Sequence, residues 1–257
     1  MDRVRDKALG RFLDRGALKR WSDLARAAEQ MDLSELRALH ARAAGLRQRV
    51  DRALRVAEDR LALPRVGSSA IQKPLHSDWA WRPPAWRHRM PEPGAAGIET
   101  RAELGEALTL FHDCRISELS FRQVRNRRAE DLAPFGLRLD VFRFDGSFLS
   151  LALDLPPEGL RDLSRHHILR ADVTVETETP LEVFLRMNVR HGPNVEQVVR
   201  ELPMDAPAMT AEFDLDYTGL GERTATGAWL DLIFEGPEMN QITLRDLTLS
   251  RRPRAEF

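Results

Sequence analysis

A chain of 257 residues with a net charge of -1, 42% hydrophobic and 31% charged, holds enough apolar side chain for one core of roughly 150 residues plus an accessory segment. Nothing in it approaches the roughly 18 consecutive apolar residues of a membrane-spanning helix, and the charged start Met1-Asp2-Arg3-Val4-Arg5-Asp6 has no apolar stretch behind it of the kind a secretion signal needs. The single cysteine, Cys114, excludes a disulfide framework and a cysteine-based zinc cluster, and its reading is a small hydrophobe on a strand in a reducing, cytoplasmic setting.

Charge is divided unevenly along the chain. Residues 1–96 hold 20 Lys+Arg against 12 Asp+Glu, whereas the remainder holds 19 against 28. The arginines of the first part are interspersed with acids rather than run together, and no helix-turn-helix or RNA-binding signature accompanies them, so no nucleic-acid partner is expected. In that basic part, Leu18, Trp21, Leu24, Ala25 and Ala28 recur at helical spacing. Asp32 and Glu35 then have capping-box spacing at the start of a second, longer helix. Along it Leu36, Ala43, Val50 and Ala57 repeat every heptad, with Leu39, Leu46 and Ala53 between, which is the a/d seam of a coiled coil. An antiparallel helical hairpin over residues 1–63 is the simplest arrangement, a homodimeric coiled coil the alternative. The second helix should stop before Pro64.

Residues 64–96 read as a linker strap. Gly67-Ser68-Ser69 is loose and polar, but His76 to His88 concentrates Trp79, Trp81 and Trp86 beside Pro83, Pro84, Arg82 and Arg87. Such rings either lie down on the neighbouring domain or form a platform for a ligand or a protein partner.

From residue 97 to 257 the period changes to two. Ten strands are predicted near 107–113, 118–124, 137–144, 147–155, 167–177, 181–190, 194–201, 209–217, 228–236 and 241–250. Asp145-Gly146, between two runs rich in β-branched and aromatic residues, predicts a tight primed hairpin turn. Further turns are marked by Glu178-Thr179-Pro180, His191-Gly192-Pro193-Asn194 and Glu235-Gly236-Pro237. Many short strands in one domain give a mainly β fold: a two-sheet sandwich of jelly-roll type preceded by the helical hairpin.

Alternation separates inner from outer side chains. Leu181, Val183, Leu185, Met187 and Val189 form one inner set, and Ala228, Leu230, Leu232 and Phe234 another. The outer rows then carry Phe184, Arg186, Asn188 and Arg190 on one strand and Trp229 and Asp231 on the other. Aromatic rings beside planar donors and a carboxylate are the groups that stack on and hydrogen-bond a saccharide-like or other polar ligand. These six residues are the candidate binding set, provided the strap or the helices do not cover them.

Catalytic patterns are sparse. Glu212, Asp214 and Asp216 fall on one face of a strand, about 6.7 Å apart, near the roughly 5–5.5 Å of a retaining glycosidase pair. This superficially resembles the acidic strand of jelly-roll β-glucan hydrolases, but Asp216 stands where that pattern has Glu. His166 and His167 are adjacent, as are His112 and Asp113, and no metal-ligand spacing or nucleophile elbow occurs. No catalytic set, metal or cofactor is expected.

Five segments carry a family resemblance: Asp78-Trp79-Ala80-Trp81-Arg82-Pro83, Phe111-His112-Asp113-Cys114, Phe144-Asp145-Gly146-Ser147-Phe148-Leu149-Ser150, Asn188-Val189-Arg190-His191-Gly192-Pro193-Asn194 and Glu238-Met239-Asn240. On these the chain resembles, over most of its length, a bacterial family of unknown function. Its β part, ending with Ile242 to Leu249, also resembles galactose-binding-like jelly rolls, a resemblance that implies non-catalytic glycan or ligand binding. The reading is therefore a binding module, with a scaffold assembling through its helices as the alternative and a glycan hydrolase third.

Overall fold

A computed structural model describes residues 16–61, 71, 73–206, 208–220 and 224–254, with the side chains of 55–61 left aside. The expectations for Met1 to Asp6, Pro64 and Gly67-Ser68-Ser69 lie outside the described residues. The chain divides into two units, the first ending at Val56 and the second beginning at Ala57.

The first unit is helical. Helix α1 covers 16–27, and a single 3-10 turn, Ala28–Gln30, leads to α2 (Leu33–Leu61). Asp32 caps α2: its Oδ1 accepts the amides of Ser34 and Glu35 at 2.8 and 2.9 Å and the Ser34 hydroxyl at 2.8 Å. These bonds, that from the Glu35 amide foremost, hold the Asp32 carboxyl below its ordinary pKa. None of the described side chains of this unit is fully buried, and the seam residues Leu36, Leu46 and Val50 are exposed.

The second unit is built from thirteen strands: β1 (Trp79–Trp81), β2 (Gly94–Ala96), β3 (Ala102–Glu103), β4 (Leu108–His112), β5 (Leu119–Arg125), β6 (Phe135–Val141), β7 (Leu149–Asp154), β8 (His167–Thr177), β9 (Glu182–His191), β10 (Asn194–Glu201), β11 (Ala208–Asp214), β12 (Gly227–Glu235) and β13 (Asn240–Pro253). Short helices α3 (Pro84–Arg87) and α4 (Pro157–Leu160) sit between strands. One sheet runs β11-β8-β13-β6-β5-β2, with β1 also on β13, and the other runs β10-β9-β12-β7-β4-β3. Every pairing is antiparallel. Both predicted inner sets point into the core, where Val183, Leu185, Met187, Leu230 and Leu232 are fully buried against Leu151, Leu153, Leu247 and Leu249.

All ten predicted strands are present. One turn expectation is corrected. Asp145-Gly146 does not close a hairpin, because β6 belongs to the β13 sheet and β7 to the β12 sheet, so the chain crosses between sheets there. Gly146 keeps an ordinary φ. It is required for space, since a Cβ would lie 2.5 Å from Asp113 Oδ1 and 3.0 Å from Cys114 Sγ. Asp113 accepts the Ser147 amide at 2.7 Å and the Ser147 hydroxyl at 2.6 Å, while Asp145 accepts the Arg115 amide at 3.1 Å, so the crossover is tied from both sides. The tight hairpin lies instead at His191-Gly192-Pro193-Asn194: Gly192 has φ +53° and Pro193 cannot, which selects a type II′ turn.

The strap lies down on the neighbouring domain, the first of its two readings: it joins the β13 sheet. Trp79 and Trp81 pair with Arg251 and Leu249 in register and pack on the core with ring centroids 6.3 Å apart. Where β13 bulges between Leu244 and Asp246, the Trp86 indole donates to the Leu244 carbonyl at 3.0 Å and is wholly buried. Arg82, 2% exposed, grips Asp246 through two bonds of 2.8 Å. Burial dominates at Asp246 and keeps its pKa raised despite Arg82.

Candidate functional site

The six candidate residues converge. Strands β9 and β12 are neighbours, with Asp231 opposite Arg186, Trp229 opposite Asn188, Ile233 opposite Phe184 and Gly227 opposite Arg190. All six therefore share the outer face of the β12 sheet.

The set is already internally bonded. Asp231 Oδ2 accepts Arg186 Nε at 2.9 Å, Arg186 Nη2 at 2.8 Å and Asn188 Nδ2 at 2.9 Å. Asn188 Oδ1 in turn accepts the amide of Gln197 from β10 at 3.0 Å. Asn188 is 0% and Asp231 4% exposed, so this polar chain is sunk into the face rather than raised from it. A buried carboxylate needs such partners, because desolvating it alone is costly. Arg190 extends over the Trp229 ring with its guanidinium carbon 5.4 Å from the ring centroid. Phe184, Trp229 and Ile233 stay half-exposed around the buried chain.

Cross-strand register adds residues that the sequence did not single out. On β7, Ser150 stands opposite Ile233 and Phe111, and Ala152 opposite Asp231 and Thr109. These two small, buried side chains lie between the β12 row Trp229, Asp231, Ile233 and the β4 row Thr109, Phe111. On the far side, edge strand β10 presents Val195 and Val199, 41% and 49% exposed, beside Arg190 and Arg186. Alternation alone marks Ser150 and Ala152 as outward, but only the strand order reveals that they lie between two aromatic walls.

The other candidates are absorbed by structure. Strand β11 stops at Asp214, whose side chain accepts the Asp216 amide at 3.1 Å and turns the chain into a 3-10 turn. Asp216 therefore leaves the strand, and the row of three carboxylates is not formed. Glu212 pairs with Arg252 at 3.3 Å, Asp214 with Arg254 at 3.2 Å, and Asp216 also with Arg254. His112 is buried, accepts the Cys114 amide on Nδ1 at 3.2 Å, and so donates from Nε2 to the Ile98 carbonyl at 2.9 Å. Cys114 lies just past β4 rather than on it, half-buried, and burial raises its thiol pKa. His167 faces Asp78 at 4.0 Å, and burial lowers its pKa. Among the described residues no three His, Cys, Asp or Glu side chains are grouped to hold a metal, and no helix is long and apolar enough to cross a membrane.

Several residues that carry the family resemblance do structural work. Asp78 and Arg82 anchor the strap through Arg251 and Asp246, Asp113 and Asp145 tie the crossover, and Asn240 Oδ1 accepts the amides of Glu178 and Thr179 at 3.0 and 3.2 Å.

Fold and face together define a two-sheet antiparallel jelly-roll sandwich carried after N-terminal helices. The chain belongs to a family of unknown function, DUF6478, whose pattern it matches over residues 1–257. No curated protein matches it in sequence. Among solved structures it is similar to the enzymatically active domain of bacteriophage CBA120 tailspike protein 4, with TM-score 0.40 and 6% identity over 56% of this chain, which spans 19% of that one. It is also similar to the family 11 carbohydrate-binding module from Clostridium thermocellum in complex with a β-1,3-1,4-mixed-linked tetrasaccharide (TM-score 0.37, 13% identity, 64% of this chain and 97% of that one). A cyclase from Fischerella sp. TAU gives TM-score 0.39 and 11% identity over 59% of this chain and 89% of that one.

Proposed function

We propose that this protein is a non-catalytic binding module that takes a saccharide-like or comparably polar ligand on the outer face of the β12 sheet. The observation that supports it is the meeting of two separate stretches, 184–190 and 229–231, in a single register around a sunken Arg186–Asp231–Asn188–Gln197 chain. That chain satisfies the buried polar groups of the face, and Arg190 lies over the Trp229 ring. Trp229 and Phe184 then supply flat apolar surface, and Arg186 and Arg190 supply planar donors at its rim, the combination with which a sheet recognises a ring that has apolar faces and polar edges.

A thermal-shift screen of the full chain against neutral oligosaccharides, nucleotide sugars and polyanions tests this, because a ligand that binds only the native state raises its melting point. A shift with a saccharide, lost in Trp229→Ala at nearly unchanged Tm, supports the reading. No shift with any saccharide, or a shift that Trp229→Ala leaves intact, refutes it.

A second reading, assembly through the helices, draws on one observation: the a/d residues Leu36, Leu46 and Val50 of α2 are exposed. Sedimentation of the Leu46→Glu, Val50→Glu double variant against the parent chain tests it, a loss of oligomer supporting assembly and an unchanged mass refuting it.

A further inference from the structure

Beyond the β12 face, a groove of about 420 Å³ opens beside β2, within the roughly 300–1,000 Å³ range of ligand sites. Its floor is apolar, made by Ile98, Leu104 and Phe121, all buried. One wall is the edge strand β2, which among the described residues is paired on one side only, to β5.

Register fixes where the backbone of β2 points. The Gln123 amide donates to the Pro93 carbonyl at 2.7 Å and the Gly97 amide to the Leu119 carbonyl at 2.9 Å. Residues 93, 95 and 97 therefore spend their polar groups on β5, and the amides and carbonyls of Gly94 and Ala96 point the other way, along the groove. On the opposite side the Leu104 amide donates to the Leu108 carbonyl, so the backbone of Glu103 in edge strand β3 likewise faces away from β4. Strand edges in folded proteins are ordinarily shielded by bulky charged side chains or by a covering segment. Here Gly94, Ala95 and Ala96 are small and exposed.

Three carboxylates, Glu92, Glu99 and Glu103, line the groove and are exposed. None has an ion-pair or hydrogen-bond partner among the described residues, and they do not converge on a metal.

We propose that the free edge of β2 binds an extended basic peptide by strand addition. The peptide backbone pairs with Gly94 and Ala96, its inward side chains lie toward Ile98, Leu104 and Phe121, and its outward side chains, Lys or Arg, meet Glu92 and Glu99. Alternation along the incoming strand makes basic-apolar-basic the matching pattern.

The test uses the full chain and a fluorescein-labelled Lys-Val-Lys-Val-Lys peptide, with two further copies carrying N-methyl groups on alternate amides. Strand addition predicts saturable binding of the parent peptide, loss of about tenfold or more in affinity for one methylated copy and retention for the other, because only one set of amides faces β2. Ala96→Pro should weaken binding to a similar degree with the melting point unchanged, since that amide makes no bond within the fold. Glu92→Gln with Glu99→Gln should weaken it several-fold at low salt and little at high salt. No binding at about 1 mM peptide, equal affinities for the two methylated copies, or indifference to Ala96→Pro overturns the proposal.

Discussion

The two outer faces of the sandwich follow the same alternation and yield opposite surfaces. On the β13 sheet, polar side chains pair with near neighbours: Arg170 with Asp172 and Thr210, Arg138 and Arg122 with Asp140, Arg252 with Glu212. Apart from the buried Asp140, these groups are partly open to solvent, where such pairs contribute little. On the β12 sheet a single carboxylate, Asp231, serves Arg186 and Asn188 from below the level of Trp229, Phe184 and Ile233. A charge pair in solvent and one sunk among rings look identical in a string of letters. What separates them is whether the neighbouring strands bring further charges or further rings.

Substitutions can sharpen that contrast, starting where burial is deepest. Arg82→Ala strands the Asp246 carboxylate under the strap and should cost roughly 3–5 kcal/mol, the usual penalty for halving a buried pair, visible as a large fall in the urea midpoint. Asp231→Ala leaves Arg186 and Asn188 without their shared acceptor and should cost roughly 1–3 kcal/mol. Asp231→Asn should recover part of that loss, and a cost equal to that of an exposed pair would place Asp231 with the solvated charges.

Acid unfolding provides an intermediate case. Burial pushes the Asp140 carboxyl upward, but the hydrogen bond and charge of Arg138, with Arg122, outweigh it and the net pKa is lowered; at Asp78 the same burial is outweighed by Arg251. A carboxylate whose folded pKa lies below its unfolded value adds stability above the unfolded pKa, near 4, and loses it as pH falls through the folded pKa. Asp140→Asn should therefore make the loss of Tm as pH falls below about 4 shallower. Smallest of all, Arg170→Ala on the open β13 face should change stability by about 1 kcal/mol or less, measured by the same urea titration.

How much of this was legible in the sequence depends on what each feature needs. Strands β8 and β10 keep their predicted bounds because alternation from 167 to 177 and from 194 to 201 is uninterrupted. Strand β11 ends early because the Asp214 side chain captures a backbone amide, an interaction that alternation does not register. Strands β1, β2 and β3 are two or three residues long, and their extended form comes from β13, β5 and β4. The hairpin expected at Asp145-Gly146 shows the same limit: the local turn signal was strong, but sheet membership decided the path. The six site residues were legible as outer rows. The burial of Asn188 and Asp231 among them was not, because it comes with bonds across strands, from Gln197 on β10 to Asn188 and from Arg186 and Asn188 on β9 to Asp231.

Strand β13 also bears on how the protein is made. It lies between β8 on one side and β6 with β1 on the other, and it is the last of the described strands to leave a ribosome. β6 and β13 are separated by roughly 100 residues and β8 and β13 by roughly 60, which at about 5–20 residues per second means some 5–20 s and some 3–13 s of synthesis during which the edges of β6 and β8 stand without their central partner. The β12 sheet needs nothing beyond Glu235 and has its β9–β10 hairpin to nucleate on. The nascent chain thus completes its candidate binding sheet first and carries open strand edges until the final strand arrives, an interval in which chaperones would find their substrate.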